Sequence, residues 1–338
     1  MIFRCVNHLQ RILVRMKKLI DDVRLIYKCC YLYYQDNKSQ QQICNQLGIS
    51  RPTVSRMLNR GKELGIVQIE LKNPENVMYG KLERDIEERF QLQEVNIVPS
   101  SPLVGGSKPI NSELGRGTLH YMERVLHEGD YVGVSMGFAI QNIVRTDYFI
   151  SEKIPCTFIP ILGGIGDSLL EIHSNYLTQR FASLFGGKCI QFFSPAVFSQ
   201  KEVLQGFLQE QTIRHVTQLY KKLNLVIMGI GIPNTQNSTI LRTGYVDKRI
   251  LQTFTENGAV GDIALRFFDI NGNMEPFDEF NSRVSGISIE ELNEVPYRVG
   301  VASGPQKAAA VLGAIRGKYI NVLITDIDCA QRLLEISE

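Results

Sequence analysis

Six short apolar runs, VNIVP, YVGVSMG, TFIPILGG, LNLVIMGIG, YRVGVASG and YINVLITD, recur from residue 95 onward, most of them ending in glycine or a small polar residue. Stretches of ten or more residues with helical texture lie between them. Strands buried on both faces read as continuous apolar runs, and a helix between two of them returns the second parallel to the first. The pattern therefore predicts an α/β body, a parallel sheet with helices on both faces. Ligands to such sheets sit beyond the carboxyl ends of the strands.

Residues 39–71 have another texture. Ser39 with Gln42 three residues on makes a capping box, Ile43 and Leu47 supply an inward face, and Gly48 stops the helix. Ser50 is placed to cap the next helix, Pro52 falls in its first turn, and Gly65 closes it. Upstream, Leu19, Val23, Ile26, Tyr27, Cys30, Tyr31 and Tyr34 recur at spacings of three and four, one helical face. IVQIEL alternates as a short strand would. The third helix divides into an apolar side, Val54, Met57, Leu58, Gly61 and Leu64, and an outer set, Ser50, Arg51, Thr53, Ser55, Arg56, Asn59 and Arg60. A recognition helix needs that division, because arginine forks onto guanine, asparagine onto adenine, and hydroxyls reach phosphate or base. The outer set is the expected DNA-binding surface, and the unit reads as a winged helix-turn-helix. A three-helix protein-interaction module is the other reading of the same pattern.

Charge agrees with a polyanion partner for the head alone. Residues 1–72 hold thirteen Lys or Arg against five Asp or Glu, whereas the whole chain carries only +2, so the body is acidic. No run approaches 18 apolar residues, which argues against a membrane span. Seven scattered cysteines without a C-x-x-C pair argue against disulfides or a metal site, and for a reducing cytoplasm. The expected organisation is an extension over 1–18, with Met16 an alternative start, the head over 19–74, an amphipathic linker helix over 75–92, and the body over 93–338.

Three stretches of the body carry ligand chemistry. In YVGVSMG, Gly133 and Gly137 let backbone amides approach a phosphate and Ser135 adds a hydroxyl, although tight strand-to-helix packing explains such glycines equally well. Lys307 stands in the first turn of a helix, where a cation opposes the helix dipole unless an anion lies between. Asp262, in GAVGD, could accept from sugar hydroxyls or cap a helix.

The head together with DYVGVSMG, ILGGIG, HSN, GIG, GAVGDIALRFFDINGN, RVSGISIEEL and KAAAVLGAIRGKYINVLITD resembles the SorC family of sugar-binding transcriptional regulators, in the family's order and over nearly the whole chain from Leu19. The resemblance implies a Rossmann-like, sugar-phosphate-isomerase-like effector domain binding a phosphorylated sugar, and a homo-oligomer, a tetramer, on double-stranded operator DNA. It implies effector contacts from Ser135, Met136, Gly137 and Phe138, from Gly163 and Gly164, and from His173, Asn175, Arg242, Asp262 and Lys307. No cofactor, metal or catalytic residue is implied. Three positions depart from the family pattern: Phe138 where many relatives carry threonine, Ser303 where relatives often carry glycine, and Leu162 where some carry lysine or arginine. Leucine neither forms a Schiff base nor grips a second phosphate, which points to a monophosphorylated ketose, polyol or cyclic sugar. An isomerase-like enzyme, and a regulator that has lost its effector response, are the competing readings.

Overall fold

All six apolar runs are strands. The computed structural model describes residues 22–69, 78–100, 112–164, 169–233 and 238–337, and the chain divides into two units, Met1–Asn76 and Val77–Glu338. The expected extension, the alternative start and Leu19 lie outside the described residues.

In the larger unit β1 (Glu94–Val98), β2 (Tyr131–Val134), β3 (Thr157–Pro160), β4 (Lys188–Cys189), β5 (Leu225–Gly231), β8 (Tyr297–Ala302) and β9 (Val322–Asp326) form one parallel sheet in the order β1-β9-β8-β5-β2-β3-β4. A hairpin of β6 (Gly261–Ile263) and β7 (Arg266–Phe268) pairs antiparallel with the end of β5. Side chains alternate between two apolar layers, as a period of two requires. Leu225, Ile227, Val322 and Ile324 enter one core; Val226, Met228, Ile230 and Leu323 enter the other. Each such side chain contributes about 1.5–3 kcal/mol when fully buried, so both helical layers are held by the same strands.

The smaller unit holds three helices, α1 (Val23–Tyr34), α2 (Gln40–Leu47) and α3 (Arg51–Glu63). The Ser39–Gln42 capping box is formed, and Gly48 ends α2 in the left-handed conformation. Ser50 occupies the N-cap of α3 but makes no capping bond; its hydroxyl instead meets that of Thr53 at 2.8 Å. The inward side of α1 is Ile26, Cys29 and Cys30, whereas Val23, Tyr27 and Tyr31 are exposed. The helix is rotated because Cys30 packs against Gly61 of α3, where an added Cβ would lie 2.3 Å from the sulfur.

The expected strand over Ile66–Leu71 is not formed across residues 66–69, and Glu70 and Leu71 lie outside the described residues. The Val67 amide turns back to the Gly61 carbonyl, and Ile66 and Val67 pack on the helical core. Among the described residues the head is three helices without a strand to serve as a wing. The expected linker helix also differs. As α4 (Gly80–Phe90) it is part of the body, with Ile86 fully buried. Glu87 and Glu83 accept from the amides of Val95 and Ile97 on the open edge of β1. Two carboxylates thus occupy donors that an unprotected edge strand would offer to another chain. Among the described residues no helix is long and apolar enough to cross a membrane.

Candidate functional site

Between β2 and β5 the strand order reverses: β3 and β4 lie on one side, β8 and β9 on the other. A doubly wound sheet opens a crevice at that point, beyond the carboxyl ends of its strands. A cavity of ≈ 440 Å³ is found there, lined from the ends of β2, β5 and β8 and from the β6–β7 hairpin.

The β2 wall is Ser135, Met136 and Gly137, leading into α6 (Phe138–Arg145), which follows α5 (Ser112–Val125). Gly137 has φ 119°, a conformation that glycine alone adopts readily, and its amide is spent on the Ile172 carbonyl. The first helical bond of α6 runs from Gln141 to Gly137, so the amides of Phe138, Ala139 and Ile140 have no acceptor within the helix. Phe138 and Ala139 line the cavity. A helix start of this kind favours an anion.

The β5 and hairpin walls place one carboxylate. Asp262 lies over Gly231, where an added Cβ would fall 1.8 Å from Oδ1, so glycine at 231 is what admits it. The two-residue turn Ala264–Leu265 has positive φ at both residues, 47° and 63°, an uncommon and costly conformation away from glycine. That turn brings the Leu265 amide onto the Asp262 carboxylate. Burial pushes Asp262 up to about 6, against the pull of Lys307 and the Leu265 amide. Lys307 enters from the β8 wall in the turn Pro305–Lys307, and its ammonium donates to the Ile230 carbonyl at 2.6 Å. Asp262 and Lys307 are the only charged side chains among the described lining residues.

The raised Asp262 gives a stability prediction with a definite sign. Its folded value lies above the ordinary 3.8, so its contribution is fully present below about pH 4 and is lost as pH rises through about 6. The loss is at most about 2–3 kcal/mol, at 1.36 kcal/mol per unit. Asp262→Asn carries no such dependence. Denaturant unfolding of the body at pH 4 and pH 7 is expected to show the variant gaining on wild type at the higher pH; a constant difference overturns the assignment.

Six of the expected effector residues, Ser135, Met136, Gly137, Phe138, Asp262 and Lys307, therefore line one cavity. The other five do not. Gly163 donates to the Ser285 carbonyl and packs against the Pro195 carbonyl. Gly164 abuts His173, which is 5% exposed and meets the Tyr245 hydroxyl at 3.3 Å through Nδ1. Asn175, near the start of α7 (Ser174–Phe185), spends its amide on both backbone groups of Phe192. Arg242 stacks over the Phe138 ring at 4.5 Å, behind a wall residue. Leu162 is fully buried, in the apolar cluster that includes Met136. Sequence reasoning passed over Asn142, Ser238, Thr239 and Gln306, which also line the cavity. Asn142, one turn beyond Phe138 on α6, was open to inference from helical spacing.

On the head, Arg51, Arg56 and Asn59 are exposed and Ser55 and Arg60 partly so. Thr53 is 7% exposed, its hydroxyl turned to Ser50; burial withdraws it from the reading face. Leu64, expected inside, is 44% exposed, lying past the last turn of α3. Arg60 pairs with Glu63 at 2.7 Å on the surface.

The chain thus joins a three-helix head to a doubly wound body with a cavity at its switch point, and comparison with known proteins gives the class: sugar-binding transcriptional regulators. Residues 76–335 match the Sugar-bind family, described as "Putative sugar-binding domain". The sorbitol operon regulator of Klebsiella pneumoniae is 30% identical over 316 residues, covering 93% of this chain and 99% of that protein. The deoxyribonucleoside regulator of Bacillus subtilis (strain 168) is 33% identical over 312 residues, covering 92% and 97%. The crystal structure of full-length SorC from Klebsiella pneumoniae superposes with a TM-score of 0.67 over 93% of this chain and 99% of that one. The chain belongs to the SorC family of sugar-binding transcriptional regulators.

Proposed function

We propose that this protein binds operator DNA of a carbohydrate-utilisation operon through α3, and that a phosphorylated sugar in the switch-point cavity controls that binding. The observation that carries the reading is the convergence on one cavity of Lys307, the first-turn amides of α6 and Asp262. Lys307 and the amides suit a phosphate; Asp262, with Asn142 and Gln306, suits hydroxyls. One cationic side chain among the described lining residues fits a monophosphate better than a bisphosphate. Relatives named for a sorbitol operon and for deoxyribonucleosides support polyol and pentose chemistry as the first candidates to try. The working form is a homo-oligomer, a tetramer, in which the effector shifts a quaternary equilibrium through unequal affinity for two states.

Thermal unfolding across a panel of sugar monophosphates and their unphosphorylated counterparts tests this. A cognate ligand at 100 times its Kd is expected to stabilise by about 2.7 kcal/mol, and to change a gel shift. A panel that is flat throughout overturns the effector reading and favours a regulator that has lost its response. An Asp262 raised to about 6 is the one feature that also suits proton transfer; NMR of sugar phosphates incubated with the protein separates the two, product peaks at catalytic rates favouring the enzyme.

A further inference from the structure

β8 and β9 are parallel neighbours whose last paired residues are Ala302 and Thr325. The next residues, Ser303 and Asp326, therefore stand side by side, Ser303 just past β8 and Asp326 as the last residue of β9. Asp326 is 3% exposed and is not part of the cavity wall, whereas Ser303 is. Its carboxylate is shared between two tasks. Oδ1 accepts from the Cys329 amide at 3.0 Å, capping the helix Ile327–Ile336. Oδ2 accepts from the Ser303 hydroxyl at 2.5 Å, and the Gly304 amide is shared between the two oxygens, at 2.9 Å from Oδ2 and 3.0 Å from Oδ1. Gly304, at φ 92°, opens the turn Pro305–Lys307. Its carbonyl accepts from the Lys307 amide at 3.0 Å. A continuous path of hydrogen bonds thus runs from the buried carboxylate through Gly304 to the backbone of Lys307.

We infer that Asp326 is a positioning residue for the anion-recognition end of the cavity, fixing the Ser303–Gly304 segment so that Lys307 is presented to the ligand. This rests on the reading of the cavity as a phosphate site. A helix N-cap needs only one acceptor oxygen, and serine or asparagine supplies it as well as aspartate. The loop uses the second oxygen for Ser303 and both oxygens for Gly304, and a carboxylate alone offers acceptors on both sides.

Asp326→Asn weakens the loop task and keeps the cap. It retains an oxygen for the Cys329 amide and for one of the two Gly304 bonds, and sets an NH₂ group against the Ser303 hydroxyl and the other Gly304 bond. The probe is inorganic phosphate, with affinity read from ³¹P NMR titration of the full chain, and folding read from cooperative melting. The expected result is a variant that melts cooperatively and binds phosphate about ten-fold more weakly. Ser303→Ala, which removes one bond of the same path, is expected to lose about three-fold alone and nothing further in the Asp326→Asn background. Residues acting through one path are non-additive, whereas a capping role leaves the two losses to multiply. Should Asp326→Asn fail to melt cooperatively, Asp326→Ser takes its place, capping with a single oxygen. Wild-type affinity in either Asp326 variant, or multiplying losses, overturns the inference. Wild-type protein that takes up no phosphate overturns instead the reading of the cavity on which it rests.

Discussion

Lys307→Met is expected to abolish effector control while leaving the head's binding to DNA in place. The ammonium is the only cationic side chain among the described residues lining the cavity, and its reach to the Ile230 carbonyl puts it at the mouth of the parallel strands. A charge-assisted bond to phosphate in a partly dehydrated site is worth roughly 1.5–3 kcal/mol. Methionine also removes the cation that restrains Asp262. Burial then pushes Asp262 up with only the Leu265 amide opposing it, which holds the carboxyl in its neutral form. The expectation is a reduction of about 100-fold in affinity for a sugar phosphate, with little effect on an unphosphorylated ligand. Calorimetry gives the first quantity, and a gel shift with increasing ligand shows whether control is lost. A variant that responds at wild-type concentrations removes Lys307 from the site. Methionine matches the length of the lysine stem and leaves no buried charge, so folding is expected to survive.

Much of that cavity was legible because its carriers are backbone features with local signatures. Glycines after apolar runs mark strand ends, and a lysine opening a helix conflicts with the dipole until an anion is supplied. The sheet was legible for the same reason, because a strand buried on both faces cannot hide its composition. What was illegible depends on contacts distant in sequence. Asp262 meets Gly231, 31 positions away, through a turn, Ala264–Leu265, whose residue types give no turn signal. His173, Asn175 and Gly163 carry the residue types of a binding site, yet the structure spends them on Tyr245, Phe192 and Ser285. No local pattern distinguishes a polar group that will face a ligand from one that will hold a loop. In the head, the rotation of α1 follows from a close crossing at Gly61, and a stripe of seven apolar positions leaves open which part of it faces inward.

The head carries the second large effect, and its structure ranks the residues that sequence alone had treated alike. Arg56 and Asn59 stand exposed on the outer side of α3, with no ion pair to Arg56 among the described residues. Arg56→Ala is expected to cost about 1–3 kcal/mol per head and, where it reads a base, to relax preference at that position. An oligomer that docks two heads meets the cost twice, so operator affinity is expected to fall by about 30-fold or more. Arg60→Ala should cost less, because its guanidinium already spends part of its charge on Glu63, and exposed pairs of that kind are worth under about 1 kcal/mol. Glu63→Ala should then strengthen binding modestly, by releasing Arg60 and removing a like charge from the phosphates. Thr53→Val supplies the contrast: the hydroxyl is buried against Ser50, so valine should disturb packing at most and leave sequence preference unchanged. Fluorescence anisotropy against an operator and a scrambled duplex at several salt concentrations measures all four, the slope against salt reporting phosphate contacts. If Arg56→Ala binds like wild type while Thr53→Val loses specificity, the reading face lies on the other side of α3.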